Sequence, residues 1–196
     1  MRELNSTEEK ILDKVLYLIG KLGTFHVPVR AIAKEADVNV SAVNYYFKTK
    51  AELMRYVKEF YLANTMAAYS ALENEEYTDE EKIIAVANEI MEYSLKYPGV
   101  LIILKEAEKN KNKDELDAKI IETTNQLNDK LHRLLAKVLN AENEESRYNN
   151  MIFMSSIVHP VFNMDITPSF DREILLNKNE RLKYIKYLLE QLKNKP

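Results

Sequence analysis

Between Asn39 and Lys50 the chain places Asn39, Val40, Ser41, Asn44, Tyr45 and Tyr46 ahead of Lys48 and Lys50. These side chains suit the surface of a DNA duplex. An Asn amide pairs bidentately with adenine, a Val methyl meets the methyl of thymine, hydroxyls donate to phosphate oxygens, and lysines add positive charge. Val43 and Phe47 stand four residues apart, so on a helix they share an inward face and leave the others near a groove. Arg30, just upstream, is placed to hold the DNA backbone. Lys48 and Lys50 flank the start of a further helix, whose free N–H groups themselves attract anions.

Two short helices and a tight turn are needed to position these residues. Ser6-x-x-Glu9 is read as a capping box, and Ile11, Leu12, Val15, Leu16, Leu18 and Ile19 recur at helical spacing behind it, which predicts a first helix over 7–22. Pro28 suits a first helical position, with Val29, Ile32, Ala33 and Ala36 forming one apolar face of a helix of about nine residues. Asp37 ends that helix, Val38 is expected to plug into the core, and Asn39 caps a third helix reaching about Phe47. This is the helix-turn-helix pattern, with the later helix facing DNA. Thr49-x-x-Glu52 opens a long helix to about Leu72.

The remainder also reads as helix: 79–96, 100–112, 114–140, 143–163 and 171–193, broken by polar stretches, Pro98-Gly99 and a loop over 165–169. The segment from Met151 to Phe162 is apolar around much of its circumference, which marks a helix buried in the protein or at a subunit contact, and Pro160 is expected to kink or end it. The fold class is therefore all-α, with a DNA-binding domain over 1–50 and a second helical domain over 51–196. Charge agrees with that division. Residues 1–60 hold ten Lys/Arg against eight Asp/Glu, whereas residues 61–196 hold 18 against 23.

Other chemistries lack their residues. Gly20, Gly23 and Gly99 are the only glycines, so neither GxGxxG nor GxxxxGK[ST] can form. With no cysteine there is no disulfide, thiolate zinc site or cysteine nucleophile, and the composition fits a reducing, cytoplasmic setting. His26, His132 and His159 form no metal-ligand motif, and no nucleophile–base pair is evident, so neither catalysis nor a cofactor or metal is expected. No apolar run approaches the roughly 18 residues of a membrane span. Met91, Met151, Met154 and His159 are candidates for lining an apolar ligand pocket, although such side chains at helical spacing also build ordinary core, and His159 reads as an interior histidine.

The stretch Val29-Arg30-Ala31-Ile32-Ala33 through Asn44-Tyr45-Tyr46-Phe47-Lys48-Thr49-Lys50-Ala51-Glu52-Leu53 resembles the N-terminal domain of tetracycline-repressor-like (TetR family) regulators. About sixty residues carry the resemblance. Asp37 departs from it, standing where the family often has a turn glycine. The resemblance implies a homodimer on a roughly palindromic operator in double-stranded DNA. It also implies a C-terminal ligand-binding and dimerisation domain, with the last two long helices at the dimer contact. The expected function is a repressor released by a small apolar effector, with no membrane partner. Activation, DNA binding without an effector, and a helical ligand carrier or enzyme are the rival readings.

Overall fold

The computed structural model describes residues 4–194, and every regular element among them is helical. The helices are α1 (Ser6–Leu22), α2 (Val29–Glu35), α3 (Val40–Tyr46), α4 (Lys50–Ala68), α5 (Asp79–Lys96), α6 (Val100–Asn110), α7 (Glu115–Leu139), α8 (Asn143–Asn163), α9 (Arg172–Leu176) and α10 (Lys178–Lys193), with a 3-10 turn over Ser70–Glu73. By packing, the chain forms two compact units: Met1–Thr65 with Tyr97–Thr124, and Met66–Lys96 with Asn125–Pro196.

In the first unit α1 packs on α2 and α6, and α2 packs on α3. Ile11, Leu12, Val15, Leu16 and Ile19 of α1 are fully buried, as are Val27, Ile32, Ala36 and Val57 around them. The N-terminal cap of α1 lies one residue earlier than Ser6-x-x-Glu9 predicts. Asn5 Oδ1 accepts from the N–H groups of Thr7 and Glu8, both at 3.0 Å, and Glu8 Oε2 accepts from Asn5 N–H at 3.0 Å. Asn caps at least as well as Ser, and Glu8 sits at the third helical position that closes the box. At the other end Gly23 adopts φ 65°, and its N–H turns back to Gly20 O. Gly20 and Gly99 face each other where α1 meets the start of α6. A Cβ on Gly20 would lie 2.4 Å from Gly99 N, and one on Gly99 would lie 2.6 Å from Gly20 N.

Between α4 and α7 of the same unit, Lys58 Nζ donates to Asp117 Oδ2 at 2.7 Å. The Asp117 side chain is 1% exposed, and burial pushes its carboxyl above the ordinary value despite the ammonium beside it.

The second unit is built around Ile83, Val86, Ala87 and Met91 of α5, Leu131 and Leu135 of α7, Phe153 and Ile157 of α8, and Ile185 and Leu189 of α10. Pro160 does not end α8, which runs to Asn163. Proline leaves the carbonyl four residues before it without its helical donor, and here the Tyr184 hydroxyl of α10 donates to that Ser156 oxygen at 2.8 Å. The helix predicted over 171–193 is two helices. Asn177, extended at φ −87° and ψ 118°, ends α9 and caps α10, its Oδ1 accepting from Asn179 N–H at 2.9 Å. Arg181 stabilises the break. Its Nη1 donates to Leu175 O at 2.9 Å and Leu176 O at 3.1 Å, Nε reaches Asn88 Oδ1 at 3.2 Å, and Nη2 pairs with Glu92 at 2.6 Å. A buried guanidinium thus satisfies carbonyls that α9 leaves open and ties both helices to α5.

Candidate nucleic-acid interface

Helices α2 and α3, seven residues each, are joined by a turn that the sequence encodes residue by residue. Ala36 N–H closes α2 on Ile32 O at 2.9 Å. Asp37 then takes φ 51°, which redirects the chain, and Val38 N–H returns to Ala33 O at 3.0 Å. Asn39 caps α3 as expected, its Oδ1 accepting from Ala42 N–H at 2.6 Å. Two details differ from the sequence reading. Pro28 is the cap of α2 and not its first helical residue; its carbonyl accepts from Ala31 and Ile32. Ala36, fully buried, plugs the core beneath the turn, while Val38 is only half-buried.

The inward face of α3 is Val43, which is buried along with Phe47 just past the helix. Phe47 meets the Tyr56 ring edge-on at 5.6 Å, and the Arg55 guanidinium lies 4.4 Å from the centre of that ring while pairing with Glu59. This aromatic chain fastens the end of α3 to α4. Asn39, Val40, Ser41, Asn44 and Tyr45 are exposed, Tyr45 at 79%. Tyr46 is half-buried and rests edge-on against Tyr45 at 5.2 Å. One short helix therefore offers amide, hydroxyl, methyl and phenol groups outward from a rigid seat.

Arg30, Lys48 and Lys50 are exposed and make no hydrogen bond or ion pair through their side chains to the described residues. Glu52 N–H donates to Thr49 Oγ1 at 3.0 Å, so the first turn of α4 is capped between the two lysines. Lys34 joins them: it is exposed, likewise unpartnered among the described residues, and four residues after Arg30 on the same side of α2. That i, i+4 spacing was the available signal for it. Glu35 is drawn off toward Lys21, 3.6 Å away. Free cations around outward polar groups can bind phosphates while presenting donors and acceptors to base edges. Among the described residues no group of three or more His, Asp or Glu is arranged to hold a metal.

The four pocket candidates do not converge. Met91 is fully buried in the core of the second unit, and Met154 packs at its edge. Met151 is 66% exposed, and His159 lies on the solvent side of α8, with Asn163 Nδ2 at 3.2 Å from Nδ1 and Phe170 edge-on at 5.7 Å. Met151 and His159 thus do not line an interior cavity, and His159 is not an interior histidine. Helical spacing groups residues by face but does not say which face is covered. None of the described helices is long and apolar enough to cross a membrane.

Residues 11–57 match the family described as bacterial regulatory proteins, tetR family. Over 90 residues the chain is 36% identical to a probable HTH-type transcriptional regulator, YttP, of Bacillus subtilis, a match covering 45% of this chain and 44% of that protein. The chain spans less than half the length of the curated relatives it matches. In fold it is similar to the TetR family transcriptional regulator PfmR of Thermus thermophilus, with TM-score 0.64 and 16% identity over 95% of this chain and 97% of that one. It is also similar to a TetR-like transcriptional regulator of Rhodococcus, with TM-score 0.63 and 12% identity over 97% of each chain.

Proposed function

We propose that the chain is a member of the tetR family of bacterial regulatory proteins, which its residues 11–57 match, and that it is a sequence-specific, DNA-binding transcriptional repressor acting as a homodimer in the cytoplasm. The observation that carries this reading is the outward face of α3, on a helix seated by buried Val43 and Phe47 and ringed by Arg30, Lys34, Lys48 and Lys50. Each protomer contributes one α3 to a half-site of a palindromic operator, with half-sites about one helical turn, roughly 34 Å, or a multiple of it apart. Asn44 reads an adenine, Val40 meets a thymine methyl, and Asn39, Ser41, Tyr45, Tyr46, Arg30, Lys48 and Lys50 hold the register on phosphates. The protein acts by occupancy and not by catalysis.

Residues 1–50 are the DNA-binding domain, and residues 51–196 provide dimerisation and effector binding. Support for the dimer comes from α8, where Tyr148, Met151 and Ile152 are exposed at 57%, 66% and 49%, and from α10, where Tyr187 is 60% exposed. Large apolar side chains left open on two neighbouring helices fit a contact with a second copy. A small apolar effector releases DNA if it binds better to the dimer whose α3 helices are wrongly spaced, with coupling of about 1–3 kcal/mol. Helix α4 begins at Lys50 beside the DNA-facing helix, so its tilt would move Asn39 through Tyr46.

Selection of bound sequences from random duplex DNA, followed by titration of the winner at rising salt, tests the reading. A palindromic site is expected, with affinity falling steeply on addition of about 0.2 M salt as phosphate counterions are released. Failure to enrich any sequence from the effector-free protein refutes it.

A further inference from the structure

The second unit carries a basic groove far along the chain from the residues assigned to DNA. Lys130, Arg133, Leu134 and Lys137 stand at i, i+3, i+4 and i+7 of α7 and therefore share one face. Lys82 of α5 joins them, together with Leu72 and Glu73 of the 3-10 turn, around a cavity of about 360 Å³. This concentration of charge is not the background of the unit. Residues 66–96 and 125–196 together hold 13 Lys/Arg against 17 Asp/Glu.

Two of the four cations are answered internally. Lys130 Nζ donates to Glu73 Oε1 at 2.8 Å, and Lys137 Nζ lies 2.6 Å from Asp79 Oδ2. Both carboxyls are held below their ordinary values, first by those lysines and with a further contribution from Lys82. Lys82 and Arg133 themselves have no hydrogen bond or ion pair through their side chains to the described residues. The groove thus sets two cations without a side-chain hydrogen bond or ion pair among the described residues beside two leucines. A cavity at the lower end of the usual ligand range, roughly 300–1,000 Å³, fits a small molecule and not a polymer. Two such cations over an apolar floor suit a ligand with more than one anionic group.

We propose that this groove binds a small molecule bearing two phosphate-type anionic groups, held by Arg133 and Lys82 over Leu72 and Leu134. The planar guanidinium takes one group through paired N–H donors, and the Lys82 ammonium takes the other. Lys130 and Lys137 keep Glu73 and Asp79 from repelling the ligand.

Inorganic pyrophosphate titrated calorimetrically into the full chain, without DNA, tests the site. One saturable site per chain is expected, weakening with added salt. Lys82→Ala and Arg133→Ala should each weaken it by about tenfold or more, in line with the loss of a charged hydrogen bond. The double variant Lys48→Ala/Lys50→Ala should leave it unchanged. Lys48, Lys50 and Arg133 are exposed and Lys82 is half-buried, and far-UV circular dichroism should be the same for every variant. Absence of saturable binding overturns the proposal, as does binding indifferent to Lys82 and Arg133. Loss in the Lys48/Lys50 variant alone would place the anion on the DNA-facing surface and equally overturn it. Because no DNA is present, failure here is distinct from failure of the operator selection.

Discussion

Replacing Gly20 by alanine adds one methyl group in the interior of α1, and two opposing effects follow. Helix propensity alone favours alanine by about 1 kcal/mol. The geometry opposes it: the new Cβ would stand 2.4 Å from Gly99 N, 2.6 Å from Pro98 Cγ and 2.8 Å from Pro98 C. Ordinary carbon contacts lie near 3.5–4.0 Å, so the start of α6 would have to retreat by about 1 Å. Two of the three obstacles are backbone atoms, which cannot rotate away. Overpacking of this kind costs about 1–3 kcal/mol, and a backbone obstacle belongs at the upper end, leaving a net destabilisation of about 1–2 kcal/mol after the propensity gain. Urea unfolding followed by circular dichroism reads this as a lower midpoint with an unchanged slope. Gly99→Ala should act similarly, since its Cβ would meet Gly20 N at 2.6 Å and Ile19 Cγ2 at 2.7 Å. The double variant should cost less than the sum, because helices already spread by one methyl accommodate the other. A Gly20→Ala protein more stable than the parent by about 1 kcal/mol would refute the close approach of α1 and α6.

Lys58→Ala strands the Asp117 carboxylate, whose side chain is 1% exposed, and should destabilise the protein by about 3 kcal/mol at neutral pH. The Asp117 carboxyl is already raised above its ordinary 3.8 by burial, and losing the lysine raises it further. The folded state then binds the proton more tightly than the unfolded chain, so the penalty is full above the folded value and shrinks as pH falls through it. Equal loss at pH 4 and pH 7 would show the contact to be packing alone. Asp37→Gly should stabilise by about 0.5–1 kcal/mol, because φ 51° strains any residue with a Cβ; a lower melting temperature would count against this. Asn44→Ala should relax selectivity at one base pair per half-site in a competition assay, by about 1–3 kcal/mol of discrimination, and unchanged selectivity would remove Asn44 as a reader. Met151→Asp with Ile152→Asp should shift sedimentation from dimer to monomer, whereas a dimer that persists would place the contact elsewhere.

The two short helices α2 and α3 and their turn were legible because their signals are local. Asn39 caps the helix that follows it, Asp37 tolerates the turn, and Val43 with Phe47 define an inward face by spacing alone. Each of these acts within a few residues of itself, and the polar residues left over necessarily face out. In the second unit the spacing of apolar residues marks the helices but not what they touch. Pro160 is a helix breaker by its own chemistry, yet α8 continues because Tyr184, 28 residues away from Ser156, supplies a donor to the open carbonyl. The pattern over 171–193 is continuous, yet the chain breaks at Asn177, where Arg181 gathers the loose carbonyls while anchored on Asn88 and Glu92 of α5. Met151 and Met91 are the same residue type at helical positions, one open to solvent and one sealed. Caps, turns and periodic faces are short-range properties of the chain and are written in residue order. A buried carbonyl or charge has no short-range preference for its partner, so the partner is decided when distant helices pack and leave each polar group a choice between a donor and an unpaid desolvation.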